Sequence, residues 1–578
     1  MLKVGKNKEF WASFRNDPQK AKIVDFLKEE YEATYIGETI PQLRYSVRML
    51  HDKVGTRREF ETPYFRRRHF LSACALLSAI YPENEEYFNN MQDLIFAICE
   101  EWSWEVPAHT FNAGPNGIDG NTQIALFSAE TVLMLAEIYY IHEDRLEPII
   151  KACIERECDR RIFTPFENNH YWYEECTHNW APVCSGNVAG AMIYMCPERF
   201  ERNKERLLQP FKNFINGQPG DGTCLEGISY WQYGFGFYAM TAQIIYEYSN
   251  GEIDLFNYDP KVKKIAEYPS HAFLKGYTSI SNADSTADGK IDKDLLNFLR
   301  SKFGSDVPAL PEECYAHWRG NGGWLNKSRR LLFSEFEDVG EGTLRSADLY
   351  DAGQIIVHED KYSLFVKGGD NAEPHNHNDL GSFIISTDKG QIFPDLGAGL
   401  YVFGYFVPET RYNYLCNSSR GHSVPIINGQ YQVPSNAEKE SYHIPGVSEC
   451  AKLTHEGNLI TVDYTVGYDI EGLECVKRSF THNPDSIVMR DTFEGKIESV
   501  TERFVLLIKP TEGDGFIEVD GVRMYYDKNN CSIKVTEDKE SFINHRCKTN
   551  PPTPTPVYIV DLELSDVTGA EFKFTFNE

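Results

Sequence analysis

The sequence predicts a multidomain α + β protein in which helices come first and a large antiparallel β-sandwich follows. Three observations carry that prediction. Apolar residues recur at helical spacing through the first half: in "NTQIALFSAETVLMLAEIYYI", Ile124, Phe127, Met134, Ile138 and Ile141 fall close to a 3.6 period. After about residue 330 the pattern changes to short β-branched and aromatic runs separated by Gly, Asn, Asp and Pro turns. The chain has 578 residues, more than one hydrophobic core usually organises.

The helical elements follow in order. "RRRHFLSACALLSAIYP", "MQDLIFAICEEW", "RLEPIIKACIERECDRR", "NVAGAMIYMCP", "RFERNKERLLQPFKNFI" and "YWQYGFGFYAMTAQIIYEYSNG" repeat the same apolar spacing, and many end at Gly, Asn or Pro. Helices joined by short and medium loops fit a bundle, a solenoid or a toroid. The strands begin with "GQIIVHEDKYSLFVKGG" and "SFIISTDKGQIFPDLG" and continue to "PVYIVDLELSD", with "THNPDS" and "YDKNNCS" expected as hairpin turns. Helical runs followed by strand runs mean separate domains. They are placed at 1–330 and 331–578, the second open to subdivision near 490. A cleft between them is the expected place for a site.

Composition narrows the function classes. The formal net charge is −28, so the surface repels nucleic acid and anionic membranes, and neither is expected as a partner. No apolar run is long enough for a transmembrane helix, and "MLKVGKNKEFWASFRND" has no secretory core. The 14 cysteines are scattered without a C-x-x-C pair, which predicts reduced thiols and a cytoplasmic setting.

Three stretches carry chemistry. In "EPHNHNDLGSF", His375 and His377 stand one residue apart. Zinc sites need three or four N, S or O ligands, and Asp395 and His422 downstream complete a His₂Asp set. Spacing alone does not choose His377 over His375 as the ligand, and a polar turn remains the plainer reading of the pair. "CLEGISYWQYGFGFYAM" places Tyr230, Tyr233 and Tyr238 after a Gly-rich loop. A tyrosine acting as a base near neutrality needs its pKa lowered by about two to three units, while an aromatic helix in the core needs nothing. "FENNHYWYEECTHNWAPVCSGNVAGA" is dense in polar side chains ahead of a helix, including His170, His178 and Asn179. An Asn amide there can donate to a carboxylate, or the group can simply shape a loop.

Together, "THNWAPVCSGNVAGA", "EGISYWQYGFGFY", "HNHNDLGSFIISTDKGQIFPDLGAGLY" and "SSRGHSVPIINGQYQ" resemble the heparinase II/III-like polysaccharide lyases over roughly residues 60–450. The resemblance implies an incomplete (α/α) toroid followed by the β-sandwich, and eliminative cleavage of a uronic-acid-containing polysaccharide. It implies that His375 is catalytic and that His377, Asp395 and His422 hold a structural divalent metal, Zn²⁺. It places Asn179 on the carboxylate-neutralising Asn, with His178 beside it. This chain reads His-Asn-Trp where some relatives have Asn followed by His, so either side chain can face the substrate, and "NNH" at 168–170 competes. For the catalytic tyrosine it favours Tyr233, with Tyr230 in reserve.

The expected partner is an acidic polysaccharide or its oligosaccharides: glycosaminoglycans such as heparan sulfate, chondroitin or hyaluronan first, alginate or another uronate glycan next. A homo-oligomer is left open. The acidity of the chain calls for local cations, for which "YFRRRHF", "DRR", Arg411 and Arg420 are available. Two rivals remain: a glycoside hydrolase, which needs a carboxylate pair such as Glu226 and Glu174, and a non-catalytic glycan-binding protein.

Overall fold

The computed structural model describes residues 5–35, 39–110, 118–316, 323–373, 375–434, 450–549 and 551–577. The longer helices are α1 (Lys8–Asn16), α2 (Pro18–Thr34), α3 (Arg58–Ile80), α4 (Glu85–Cys99), α5 (Leu126–His142) and α6 (Pro148–Cys158). They continue with α7 (Trp180–Met195), α8 (Pro197–Gly217), α9 (Ile228–Tyr248), α10 (Lys293–Phe303) and α11 (Trp324–Leu332). Helix α7 is buried all round from Ala181 to Ile193, as its unbroken small and apolar sequence requires. It packs against α5, α8 and α9. Small residues permit the approach: a Cβ at Gly186 would lie 2.4 Å from Thr241 Oγ1, and one at Gly190 would lie 2.9 Å from Leu133 Cδ1. No helix among the described residues is long and apolar enough to cross a membrane.

A small hairpin, β1 (Phe273–Leu274) and β2 (Thr278–Ser279), interrupts the helices. The remaining strands form three sheets. One has five strands in sequence order: β3 (Ala347–Leu349), β4 (Gln354–His358), β5 (Ser363–Lys367), β6 (Phe383–Thr387) and β7 (Gly390–Phe393). Next along the chain come β8 (Ile426–Ile427), β9 (Lys452–Glu456), β10 (Leu459–Asp463), β11 (Leu473–Asn483), β12 (Ser486–Gly495) and β13 (Val500–Leu506). They are followed by β14 (Thr511–Gly513), β15 (Phe516–Val519), β16 (Val522–Tyr526), β17 (Cys531–Asp538), β18 (Val557–Leu564) and β19 (Gly569–Phe576). The eight-stranded sheet runs β14-β15-β16-β19-β12-β11-β10-β9, and the four-stranded sheet runs β17-β18-β13-β8. The strand pairings within all of them are antiparallel.

One aromatic cluster joins the sheets: Phe383 lies 5.3 Å from Phe480 and 5.9 Å from Phe574, ring centre to ring centre, and Phe504 lies 5.0 Å from Phe572. Residue 490 sits inside β12, which is paired on both edges. "THNPDS" is a hairpin turn, with Asn483 opposite Ser486. "YDKNNCS" is not. There the chain leaves the eight-stranded sheet after β16 and enters the four-stranded sheet at β17, so the turn chemistry serves a crossover between layers.

Segment 273–286 belongs to the helical half of the sequence yet wedges against the sandwich. Ser281 Oγ donates to Gln391 Oε1 at 2.8 Å, and Gln391 Nε2 donates to the Ser279 carbonyl at 2.8 Å. Arg58, at the start of α3, donates to the carbonyls of Cys547 and Thr549 in the β17–β18 connection. These contacts hold the two halves around a cleft.

Candidate active site

The cleft has two lobes that share Tyr230. One is lined by residues including His178, Asn179, Gln218, Glu226 and Tyr230. The other is lined by Ser229, Tyr230, Tyr233, Asp284, Thr286, Tyr401, His545 and Arg546. Asn179 stands at the N-cap position of α7 with its side chain free of any capping bond, and Tyr230 lies in the first turn of α9, so two helix starts bring these side chains to one space. Gly234 permits this, because a Cβ there would sit 3.1 Å from Asn179 Cβ.

Asp284 is the hub of the opposite wall. Its carboxylate accepts from His375 Nδ1 at 2.6 Å, Tyr405 Oη at 2.6 Å, His377 Nε2 at 3.2 Å and Arg411 Nη2 at 3.4 Å. Burial opposes its ionisation, but Arg411 and the two histidines outweigh that and hold its pKa well below the usual carboxylate range. Two glycines make room for the loop that carries it. At Gly227 (φ +83°) a Cβ would lie 2.5 Å from Ser285 Oγ, and at Gly397 (φ +62°) one would lie 2.2 Å from the Ser285 carbonyl.

His375 has φ +57°, a left-handed conformation that costs a non-glycine residue about 1–3 kcal/mol and collects at functional sites. Its ring lies 4.6 Å from that of Tyr230 and 5.2 Å from that of Phe406. Because a carboxylate only accepts, the bond to Asp284 puts the His375 proton on Nδ1 and makes Nε2 the basic nitrogen. Burial disfavours protonation of His375, but Glu226 and Asp284 outweigh it and raise its pKa. His178 goes the other way: burial lowers its pKa to about 4, so the ring is neutral, and its Nδ1 lies 3.2 Å from Asn179 Oδ1.

The two tyrosines, three residues apart, have different partners. The Tyr230 hydroxyl meets that of Tyr401 at 2.9 Å, across the cleft. The Tyr233 hydroxyl donates to Glu130 Oε1 at 2.9 Å, within the helical half. Burial pushes both phenols up, Tyr230 further through Asp284 and Glu226, and Tyr233 through Glu130. Glu130 is itself raised by burial to about 7. Arg411 pulls the Tyr230 phenol down without offsetting these effects, so among the described residues neither tyrosine is brought into the range of a base.

His377, Asp395 and His422 come together with ligand atoms within 4.8 Å of one another, all buried. His377 gives Nε2 to Asp284, and its Nδ1 is buried with no hydrogen-bond partner. His422 donates from Nε2 to the Cys416 carbonyl at 2.7 Å, which turns the Nδ1 lone pair toward Asp395 Oδ2 at 2.9 Å. An orphaned imidazole nitrogen, a second nitrogen facing a carboxylate and an outer bond on each ring suit a divalent cation. His375 stays outside this set.

Other sequence candidates serve the scaffold. His170 of "NNH" has a side chain 89% exposed, beside Glu174. Glu174 accepts two bonds from Arg206 at 2.6 Å, so it is not the carboxylate facing Glu226 that a hydrolase requires. Arg67 and Arg68 are paired with Glu101, and Arg160 and Arg161 with Glu157. Arg411 is spent on Asp284 and the Asn376 carbonyl, and Arg420 bonds to Ser418 and the Asn413 carbonyl. Among the residues lining the two lobes, Arg546 is the one Lys or Arg. It lies 3.4 Å from Asp288 and was missed in the sequence, as were Asp284, Tyr401 and Tyr405. "SNADSTADG" and "FINHRCK" read as ordinary loops.

The comparisons with known proteins agree with this architecture. No curated protein matches the chain by sequence. A crystal structure of heparinase III is 13% identical with a TM-score of 0.59, covering 99% of this chain and 92% of that one. The heparan sulfate lyase HepC from Pedobacter heparinus is 12% identical with a TM-score of 0.57, covering 97% and 88%. The chondroitin AC lyase of Streptomyces coelicolor A3, solved with chondroitin sulphate, is 10% identical with a TM-score of 0.51, covering 96% and 82%. At such identities these likenesses establish the toroid-and-sandwich fold. The family model "Heparinase II/III-like, C-terminal" matches residues 341–563, the region that carries His375 and the three metal-ligand candidates. Residues 341–563 therefore match a heparinase II/III-like C-terminal domain, and the whole chain shares the fold of the heparinase III and HepC structures.

Proposed function

We propose that the chain is a polysaccharide lyase that cleaves uronic-acid-containing glycans by β-elimination. The observation that carries this reading is the meeting of Tyr230, joined to Tyr401, with a His375 that Asp284 orients, opposite Asn179 and His178. In this reading the Asn179 amide and the neutral His178 face the uronate carboxylate, and their hydrogen bonds favour enolate character as the C5 proton leaves. His375 Nε2 takes that proton, the C5 electrons form the C4–C5 double bond, and the C4–O bond breaks. Tyr230, kept protonated by its raised pKa, gives its proton to the departing glycosidic oxygen. Separate acid and base suit these raised phenols better than one tyrosine doing both jobs, and Tyr230 suits the acid role better than Tyr233, whose hydroxyl is engaged with Glu130.

The similarity to structures of heparinase III, a heparan sulfate lyase and a chondroitin AC lyase supports a glycosaminoglycan or its oligosaccharides as substrate, with alginate next. Arg546 supplies the local positive charge that a chain of net charge −28 needs to receive a polyanion. His377, Asp395 and His422 would hold Zn²⁺, which two imidazoles and a carboxylate suit. When bound, it would pin the loop that carries His375 to the segments around Asp395 and His422.

The test is a panel of uronate polysaccharides and oligosaccharides, read by ultraviolet absorbance of the unsaturated product, with and without chelator. Growth of that band on at least one uronate glycan is expected. Cleavage without the band would mean hydrolysis.

A further inference from the structure

Away from the cleft, two histidines meet at the rim between the eight-stranded and five-stranded sheets. His455 on β9 and His482 on β11 flank β10 near its start, and their Nε2 atoms are 3.2 Å apart. Each ring is braced from the other sheet. Asp348 on β3 lies 2.8 Å from His455 Nδ1, and Glu359, after β4, lies 3.1 Å from His482 Nδ1. Carboxylates only accept, so each Nδ1 carries a proton and each Nε2 turns its lone pair toward the other. Two lone pairs at that separation repel unless a positive charge lies between them. Either one shared proton or a metal ion fills that role.

The distances suit a metal. Two imidazole nitrogens bound at 2.0–2.1 Å to a tetrahedral ion lie about 3.3 Å apart. A carboxylate on the far nitrogen of each ring is the arrangement that orients histidine ligands and raises their basicity. The side chains of His455 and His482 are 17% and 10% exposed, so water can reach the remaining coordination positions. Imidazole donors select zinc, copper or nickel over calcium or magnesium.

We propose that His455 and His482 form a second metal site, for a divalent transition ion of the zinc class, clamping the rim of the two sheets. It is separate from the His377, Asp395 and His422 set and independent of the reaction at the cleft.

The test is a Zn²⁺ titration of the metal-stripped full chain by calorimetry, with Cu²⁺ resonance spectra to count nitrogen ligands. His377→Gln removes the cleft site, and this background is expected to keep one ion bound by two nitrogens. Adding His455→Gln or His482→Gln should abolish that ion. Asp348→Asn keeps both histidines and should weaken the rim site about 10–100-fold, which also decides the matter if a histidine variant fails to fold. Loss of all Zn²⁺ binding in His377→Gln would overturn the proposal in favour of a shared proton. Equal affinity with and without Asp348→Asn, or with and without the rim histidines, would overturn it too.

Discussion

The two walls of the cleft are built differently. On the helical wall, His178, Asn179 and Tyr230 stand at the starts of α7 and α9, whose packing rests on other residues such as Gly186, Thr241 and Leu133. On the opposite wall each functional group holds the next: Asp284 binds His375, His377, Tyr405 and Arg411, and His422 binds Asp395 and the Cys416 carbonyl. The first wall can lose a side chain without losing shape. The second couples chemistry to folding, because removing one member strands buried partners, each costing about 1–3 kcal/mol or more if charged.

Tyr230→Phe should separate the walls most sharply. Loss of the acid should lower kcat about 10²–10⁴-fold, while calorimetry shows an unchanged Tm. Asp284→Asn should lower activity and reduce stability together. It also has a pH signature. A base must be unprotonated, and the folded His375 pKa is raised above 6.5, so kcat/KM should fall as pH drops through that raised value. Without the Asp284 charge the His375 pKa falls, and the acid limb should move to lower pH.

His377→Ala should release the metal, read by mass spectrometry of the native chain, and destabilise the protein by roughly 2–4 kcal/mol. A Tm equal to that of the wild type would make the second wall as independent as the first. Arg546→Ala should raise KM several-fold with little change in kcat, and the difference should shrink at high salt as screening weakens charge attraction. Tyr233→Phe should have the smallest effect, leaving kcat within a few-fold.

The order of helices and strands was legible because periodicity is a local signal, and "HNHND", Asp395 and His422 were legible as chemistry because histidine and aspartate carry it wherever they fall. What was not legible depended on the turn of a helix or the meeting of distant loops. Tyr230 and Tyr233 differ by less than one helical turn, and the partner of each, Tyr401 or Glu130, lies more than 100 residues away. Asp284 sits in a loop with no periodicity, and only its clasp between Gly227 and Gly397 brings it under His375. Whether the Arg runs reach the cleft was not legible, because sequence shows charge but not its carboxylate partners, Glu101 and Glu157.

The most direct test of the account is the initial rate of unsaturated-uronate absorbance for wild type, Tyr230→Phe and Tyr233→Phe on the best glycan of the panel. A steady rise is expected for wild type and Tyr233→Phe, and a rate at least about 100-fold lower for a fully folded Tyr230→Phe. A Tyr230→Phe rate equal to wild type, or no rise from the wild type on any uronate glycan, would contradict it.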